Sequence, residues 1–522
     1  MTRDVTWFRK EIVVLLVFSM IALALFINLE RVPPLWWDEG WTLSVARNWV
    51  ELGHYGRLLN GQPYTAGLAG HFPVVALVAL SFKLFGVGAW QARLPGVLLT
   101  LASLGFLFFL ANRLYNRQIA YGTLFLLLLA NPGEPLHPIY MGRQVLGELP
   151  ALFFLLGGYV CLLKALSKSG WWILPAMLFW GIAIRTKAQE PYFWLGSLLV
   201  PLSISLFKRW WKEALLLGSG LVGTWLLSSY SLAWLQTMLI AGHYIPSQPL
   251  QGSLNIIAFV PVMSVRWKAL QSALAFCLPA LLGIGWAIWK SIRILQCKDS
   301  DPAAEIVRWA LLVFSGGWFT WYLTLGIFWE RYALQANFVG SIFGSALLYE
   351  LTGGFDFRRV MKQVGTLLRP SQDRKLDVKT LLVQLGYFTL VCWVVISVTF
   401  TMFIQINWFW PLKLISVRQT ADYLNSFTKG NERIETYESE LFFYLDRRYH
   451  YPPDQVSMEL ARRNYINPEA TINYDPLQAD PDYLVTGRQE IEWGLYAPWL
   501  DSGDFQLIQE FPGYQIYKRL RD

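Results

Sequence analysis

Charge is what this chain has least of. Only 15% of its 522 residues are Asp, Glu, Lys or Arg, against 54% hydrophobic residues, and a soluble chain would carry about a quarter charged residues. There is no basic tract or nucleic-acid motif, so the formal net charge of +8 does not call for a nucleic-acid partner. It fits lysines and arginines retained in the cytoplasmic loops of a membrane protein. Cysteine is scarce too: Cys161, Cys277 and Cys392 lie in apolar segments and Cys297 in a basic loop, so no disulfide framework is implied. A nucleotide-binding glycine loop is missing, and the part beyond about Lys413 has neither a nucleophile motif nor metal-ligand spacing. The first apolar segment, Ile12 to Leu29, has no small-residue cleavage site and reads as a retained helix.

What is present is apolar sequence in long blocks, together with 26 tryptophans, a residue that favours the membrane interface. Ile12 to Leu29 follows Arg3, Arg9 and Lys10 and is long enough to cross a hydrocarbon core of about 30 Å. Further spans read at about 95–112, 118–132, 148–166, 170–184, 190–206, 213–229, 268–290, 307–326, 332–351 and 381–405. The segment 73–89 is apolar but short, and it carries Lys83 and the glycines 86 and 88. Charge bias decides its placement. If it lies at the interface, Arg113/Arg117, Lys164/Lys168, Lys208/Arg209/Lys212, Lys290/Arg293/Lys298 and the stretch Arg358 to Lys379 all share the side of the N-terminus, as positive-inside topology requires. If it crosses, all of them land outside. The expected architecture is therefore mainly α: a polytopic bundle of about eleven spans. Residues 1–412 form the membrane part, with a first outer loop 30–94 containing a juxtamembrane helix 73–89. Residues 413–522 form a small extracytoplasmic α/β domain. In the latter, Pro512-Gly513 joins two partly alternating runs as a β-hairpin, strands are expected at 432–437 and 482–487, and a helix near 439–448.

This threading puts the unusual polar residues on one face. Trp36-Trp37-Asp38-Glu39-Gly40-Trp41 sets adjacent acids among tryptophans just beyond the first span. A carboxylate there can take the proton from an attacking acceptor hydroxyl, and the pair also has the oxygen ligands for a divalent cation. Two acids that merely solvate a loop are the plain alternative. His71, Arg143, Arg185, Lys187 and Arg331 lie at or near expected helix ends on the same side. Singly, each reads equally as a snorkelling anchor. Several cations on the face that should be depleted of them suit a lipid phosphate, which Arg binds bidentately and Lys as a compact charge. Glu148 opens a span, where the helix dipole already favours an acid; the functional reading has it bind sugar or orient Arg143. Glu190, three residues after Lys187, reads as a local pair. His243 and Tyr244 are either substrate contacts or solvated loop residues.

The order of these features resembles the GT-C superfamily of integral-membrane glycosyltransferases, especially the family 39 protein mannosyltransferases and the aminoarabinose transferases of lipid A. The resemblance rests on Trp-Trp-Asp-Glu-Gly, then Gly70-His71-Phe72-Pro73, Leu84-Phe85-Gly86-Val87-Gly88, Ala92-Arg93-Leu94-Pro95-Gly96 and Ala111-Asn112-Arg113-Leu114-Tyr115. Gly142-Arg143 through Glu148-Leu149-Pro150, Gly181 to Lys187 and Glu330-Arg331-Tyr332 continue it. It implies many transmembrane helices with juxtamembrane helices in the first outer loop, and inverting transfer of a sugar from a polyprenyl phosphate to a lipid, glycan or protein outside the cytoplasm. It assigns Asp38 as general base and Glu39 as its assistant or a cation ligand, with His71, Arg143, Lys187 and Arg331 facing the donor phosphate. The implied home is a bacterial inner membrane, with membrane lipids around the bundle. Two other classes stay open. A flippase for lipid-linked saccharides is disfavoured by the lack of a clear internal repeat, and an inactive scaffold by the intact Asp38, Glu39 and Arg143.

Overall fold

The computed structural model describes residues 2–242, 244–247, 249–251, 253–295, 301–368, 378–409 and 416–521, with backbone alone for residues 2–11, 254 and 295. His243, Cys297 and the middle of the basic stretch Arg358 to Lys379 lie outside these. The chain begins with helix α1 (Thr2–Phe26) and α2 (Trp37–Glu51), followed by a two-residue ladder between β1 (Leu58–Leu59) and β2 (Gln62–Pro63). Next come α3 (Phe72–Phe85) and α4 (Ala89–Leu114). The first loop is thus largely helical. At 14 residues, α3 is only about 21 Å long, too short to cross the core. It ends before the expected residue 89 because Gly86 takes φ +86°, a conformation that stops a helix and suits glycine.

The helices α5 (Arg117–Leu128), α6 (Pro138–Gly142), α7 (Glu148–Ser167), α8 (Ile173–Thr186) and α9 (Glu190–Phe207) follow. Longer rods then run over Trp211–Ile240, Pro302–Thr324, Leu334–Leu351 and Val378–Phe409. Helices Met263–Phe276 and Leu278–Leu295 meet at an angle of 87°. Every expected span falls largely on helix, but among the described residues length and apolarity qualify five helices to cross unaided, or six with the bent pair taken as one. Two of the expected spans are too short, since α5 and α8 have 12 and 14 residues, about 18 and 21 Å; Pro302–Thr324 and Leu334–Leu351 have the length, at 23 and 18 residues, but are diluted by polar residues such as Arg308, Gln335 and Asn337.

The apolar blocks separate into two environments. In α7, 78% of the most apolar window is buried, whereas in Val378–Phe409 only 11% is. The latter exposes Leu382, Ile396 and Phe403, as a lipid-facing rod must. The core runs through Leu104, Leu152, Tyr159, Trp180 and Phe338. Small residues let some helices touch backbone to backbone: a Cβ on Gly283 would stand 2.1 Å from the Gly344 nitrogen. Close approach of this kind is a common solution where lipid removes the hydrophobic drive for helix association.

The C-terminal part contains a sheet of order β4-β3-β5-β7-β6, formed by β3 (Arg433–Thr436), β4 (Arg448–His450), β5 (Tyr483–Thr486), β6 (Phe505–Phe511) and β7 (Tyr514–Arg519). β3 lies parallel to β4 and β5, and β7 pairs antiparallel with β5 and β6. The hairpin turns at Gly513, φ +88°. The helix expected near 439–448 is instead a 3₁₀ turn, Ser439–Phe443, followed by β4. Its run of Leu441, Phe442 and Phe443 is buried throughout, so it packs as a plug between two surfaces and not as a one-faced helix.

The Gly283 contact generates a stability test. Gly283→Val forces two helices apart and costs about 1–3 kcal/mol. Gly285→Val, on the same helix with nothing within 4 Å of its Cβ position, leaves the melting temperature in detergent nearly unchanged.

Candidate active site

α2 starts where it does because Pro33 and Pro34 disfavour helix in the residues before them, and Trp36 is extended at its N-cap. The acids then occupy its first turn, where the N-terminal end of the helix dipole favours negative charge. Successive residues on a helix point about 100° apart, so Asp38 and Glu39 face different surroundings.

Glu39 faces inward. Its side chain and that of Arg93 at the head of α4 are both fully buried. Arg93 Nη2 donates to Glu39 Oε2 at 2.9 Å and Nε to Oε1 at 3.2 Å. The Val145 N–H also donates to Oε1, at 2.9 Å. Burial pushes the Glu39 carboxyl above its ordinary value, with Arg93 and the Val145 N–H opposing. Both oxygens therefore have partners, and Glu39, expected to assist Asp38 or to share a cation with it, is turned toward Arg93 and Val145 in this structure. Among the described residues, no three or more His, Cys, Asp or Glu converge on a point where a metal could sit. Arg93 was named only within a motif. An arginine just before a span was the available signal for its role.

Asp38 is partly exposed, with its side chain 23% open to solvent, and is paired to Arg331. Arg331 lies over the rings of Trp36, Trp329 and Tyr332. Burial opposes its charge, but Asp38, then Tyr332 and Glu148, raise its pKa above the ordinary value. Tyr332 leads to a second pair: Lys187 Nζ sits 4.9 Å from its ring centre and 2.5 Å from Glu148 Oε1. Burial lowers the Lys187 pKa, Glu148 works against that, and Arg331 adds to it. Gln335 reaches the Glu148 carbonyl at 3.3 Å. Glu148 thus pairs with Lys187 and not with Arg143, as one reading of the sequence had it. The buried Glu190 has neither carboxylate oxygen hydrogen-bonded.

His71 caps the start of α3, and the Gly70 N–H before it donates to Thr42 Oγ1 of α2 at 2.8 Å. The ring is open to solvent yet hemmed in by protein. That crowding, then Lys187 and Arg185, holds its pKa below 6.5. Arg185 Nη1 donates to the Ser228 carbonyl at 3.1 Å, and Nη2 to Gln236. Arg143 does something else. Its guanidinium, 1% exposed, donates to the Ala24 and Ile27 carbonyls at the end of α1 and lies 5.4 Å from the Phe409 ring centre. A cation at a helix C-terminus satisfies carbonyls that have no intrahelical partner. Burial, then Arg93, pushes it down to about 10. The structure so gathers Asp38, Arg331, Lys187 and Glu148 in one chain of contacts, with His71 and Arg185 within electrostatic reach, and spends Arg143 on α1.

The Glu39–Arg93 pair predicts its own signature. Arg93→Met leaves a buried carboxylate unpaired and costs about 3–5 kcal/mol, while the double variant Glu39→Gln/Arg93→Met recovers part of the loss. Thermal unfolding in detergent distinguishes the two.

Residues 71–234 match the family described as dolichyl-phosphate-mannose-protein mannosyltransferase. Among solved structures, the chain is similar to ArnT from Cupriavidus metallidurans bound to undecaprenyl phosphate, at 14% identity and a TM-score of 0.61, over 96% of this chain and 97% of that one. It is similar also to the Archaeoglobus fulgidus oligosaccharyltransferase in its apo form, at 12% identity and a TM-score of 0.55, over 93% of this chain and 71% of that one. No curated protein sequence matches the chain.

Proposed function

From a chain with the fold of the GT-C membrane glycosyltransferases, we propose an inverting transferase that moves a sugar from a polyprenyl-phosphate donor to a lipid, glycan or protein acceptor at the outer face of the membrane. The observation that carries the proposal is the contact between the open carboxylate Asp38 and the guanidinium of Arg331, backed by Lys187 across Tyr332. The undecaprenyl phosphate bound to ArnT supports a donor of that class. The positive-inside pattern of the loops supports the outer location and, with the resemblance, a bacterial inner membrane. Residues 1–412 form the transferase part and 413–522 an extracytoplasmic domain.

In the proposed reaction the donor phosphate competes with Asp38 for Arg331 and draws on Lys187, Arg185 and His71. Arg331 offers two parallel donors to phosphate oxygens. Asp38, released from its cation, accepts the proton of the acceptor hydroxyl as its oxygen attacks the anomeric carbon. The bond from that carbon to the phosphate oxygen breaks, its electron pair leaves with the polyprenyl phosphate, and the preorganised cations stabilise the charge that develops there. Glu39 and Arg143 serve as positioning groups, and Glu148 holds Lys187 in place.

Purified protein in nanodiscs is incubated with radiolabelled polyprenyl-phosphate sugars and a membrane extract as acceptor. Label moves with wild type and falls by at least about 100-fold with Asp38→Asn, the lower end of the range for a lost general base, while donor binding persists. Absence of transfer with every donor, despite folded protein, overturns the proposal.

A second test uses pH. The donor is a phosphodiester with no proton to gain near neutrality, whereas His71, held below 6.5, gains one as pH falls. Donor affinity of wild type therefore rises as the pH drops through that range, and in His71→Gln the profile is flat.

A further inference from the structure

The last residue of Trp-Trp-Asp-Glu-Gly has no place in the reaction, yet a side chain there would run into the backbone of a segment far along the chain. A Cβ on Gly40 would lie 2.2 Å from both the Glu440 nitrogen and the Ser439 carbonyl carbon. The 3₁₀ turn Ser439–Phe443 of the C-terminal part therefore rests backbone to backbone on the turn of α2 that carries Asp38. Gly40 has ordinary helical geometry, so the close approach, not its φ, is what requires glycine.

The same face of α2 is held at every step around Asp38. Trp37 Nε1 donates to the Tyr437 carbonyl at 2.7 Å, and Ser439 Oγ donates to the Trp37 carbonyl. The Trp41 ring packs edge-on against Phe442, with centroids 5.3 Å apart. About two turns further on, Arg47 Nη1 donates to the Phe443 carbonyl at 2.9 Å and Nη2 pairs with Asp446 at 2.6 Å. On the other side, Glu39 is fastened to Arg93 and Val145. Asp38 is left as the first-turn side chain directed at Arg331.

We propose that the C-terminal part is a clamp that sets the position of Asp38, with Gly40, Trp37 and Ser439 as positioning residues. The proposal rests on the transferase reading above. Misplacing a reacting group by about 1 Å can cost 100-fold in rate, and a methyl group at Gly40 must move either the turn or α2.

Gly40→Ala is expected to lower kcat by about 10–100-fold, with the KM for donor within about threefold of wild type. Ser439→Ala removes one hydrogen bond with the backbone kept, and Trp37→Phe removes one while leaving a smaller aromatic ring in its place; each should lower kcat by about fivefold, and these milder variants carry the test if Gly40→Ala does not fold. Hydrogen exchange of the amides of residues 38–41 supplies a readout independent of transfer: protection falls in all three variants. Unchanged kcat and unchanged protection in folded Ser439→Ala and Trp37→Phe overturn the clamp. A parallel rise in donor KM and fall in thermal stability, with kcat intact, also overturns it in favour of a purely structural contact. If wild type transfers nothing from any donor, the transferase reading fails, and the exchange data still decide whether the C-terminal part fixes α2.

Discussion

The buried pair between Glu39 and Arg93 is the constraint on which the site depends. Both side chains are fully buried, and charges in such a place persist only when paired and hydrogen-bonded. Arg93 spends its remaining donor on the Leu29 and Pro33 carbonyls, at 3.0 and 2.6 Å. One guanidinium thus joins the end of the first apolar segment, the start of α2 and the head of α4. Because neighbouring helix residues point in different directions, fastening Glu39 inward leaves Asp38 facing outward. An adjacent acid pair can look like a two-carboxylate site in sequence and yet divide its labour in three dimensions.

The cations obey a related logic. Arg331 and Lys187 both approach the Tyr332 ring, at 5.5 and 4.9 Å from its centre, and each depresses or opposes the charging of its neighbours unless an acid intervenes. Asp38 and Glu148 intervene, one for each. The two pairs are not equivalent. Lys187 and Glu148 are 9% and 6% exposed, Asp38 is 23% exposed, and a partly hydrated carboxylate is the easier one for an incoming phosphate to displace. In the proposed reaction, therefore, the donor takes the cation whose partner is the base, while the deeper pair keeps its shape.

What could be read from the sequence follows the range of the interactions involved. Helices and their order are local properties of apolar blocks, so the helices of the bundle, the short α3 and the hairpin at Gly513 were legible. Direction in space was not. Arg143 stands among phosphate-facing positions in the resemblance, but its guanidinium turns to carbonyls more than a hundred positions earlier in the chain. Nothing local in Gly142-Arg143 records that choice. Glu148 was read beside Arg143 because the two are close in sequence, whereas its partner Lys187 arrives from the next helical hairpin. The 3₁₀ turn at Ser439–Phe443 was read as a helix because its apolar residues are contiguous. Contiguity marks a segment buried on all sides, which here means lodged between the sheet and α2.

Gly40 shows how a short motif can encode a distant partner. The usual reading of a glycine after two acids is a turn or a flexible joint, and here it is neither, because the residue lies inside the regular helix α2. What the missing side chain permits is contact with a backbone about 400 positions away in the chain. An interior helical glycine costs about 0.5–1 kcal/mol relative to alanine, so its presence needs an offsetting gain, and the hydrogen bonds made by Trp37 and Ser439 across that contact supply one. The aromatic side chains flanking the acids serve the same interface: Trp37 packs tilted against Tyr437 and Trp493, and Trp41 edge-on against Phe442 and Tyr451. Tryptophans that in sequence suggest a bilayer anchor are, around Asp38, largely occupied with protein. The motif is therefore better understood as one partly exposed carboxylate flanked by residues anchored on two sides, Glu39 toward the membrane bundle and Trp37, Gly40 and Trp41 toward the C-terminal part.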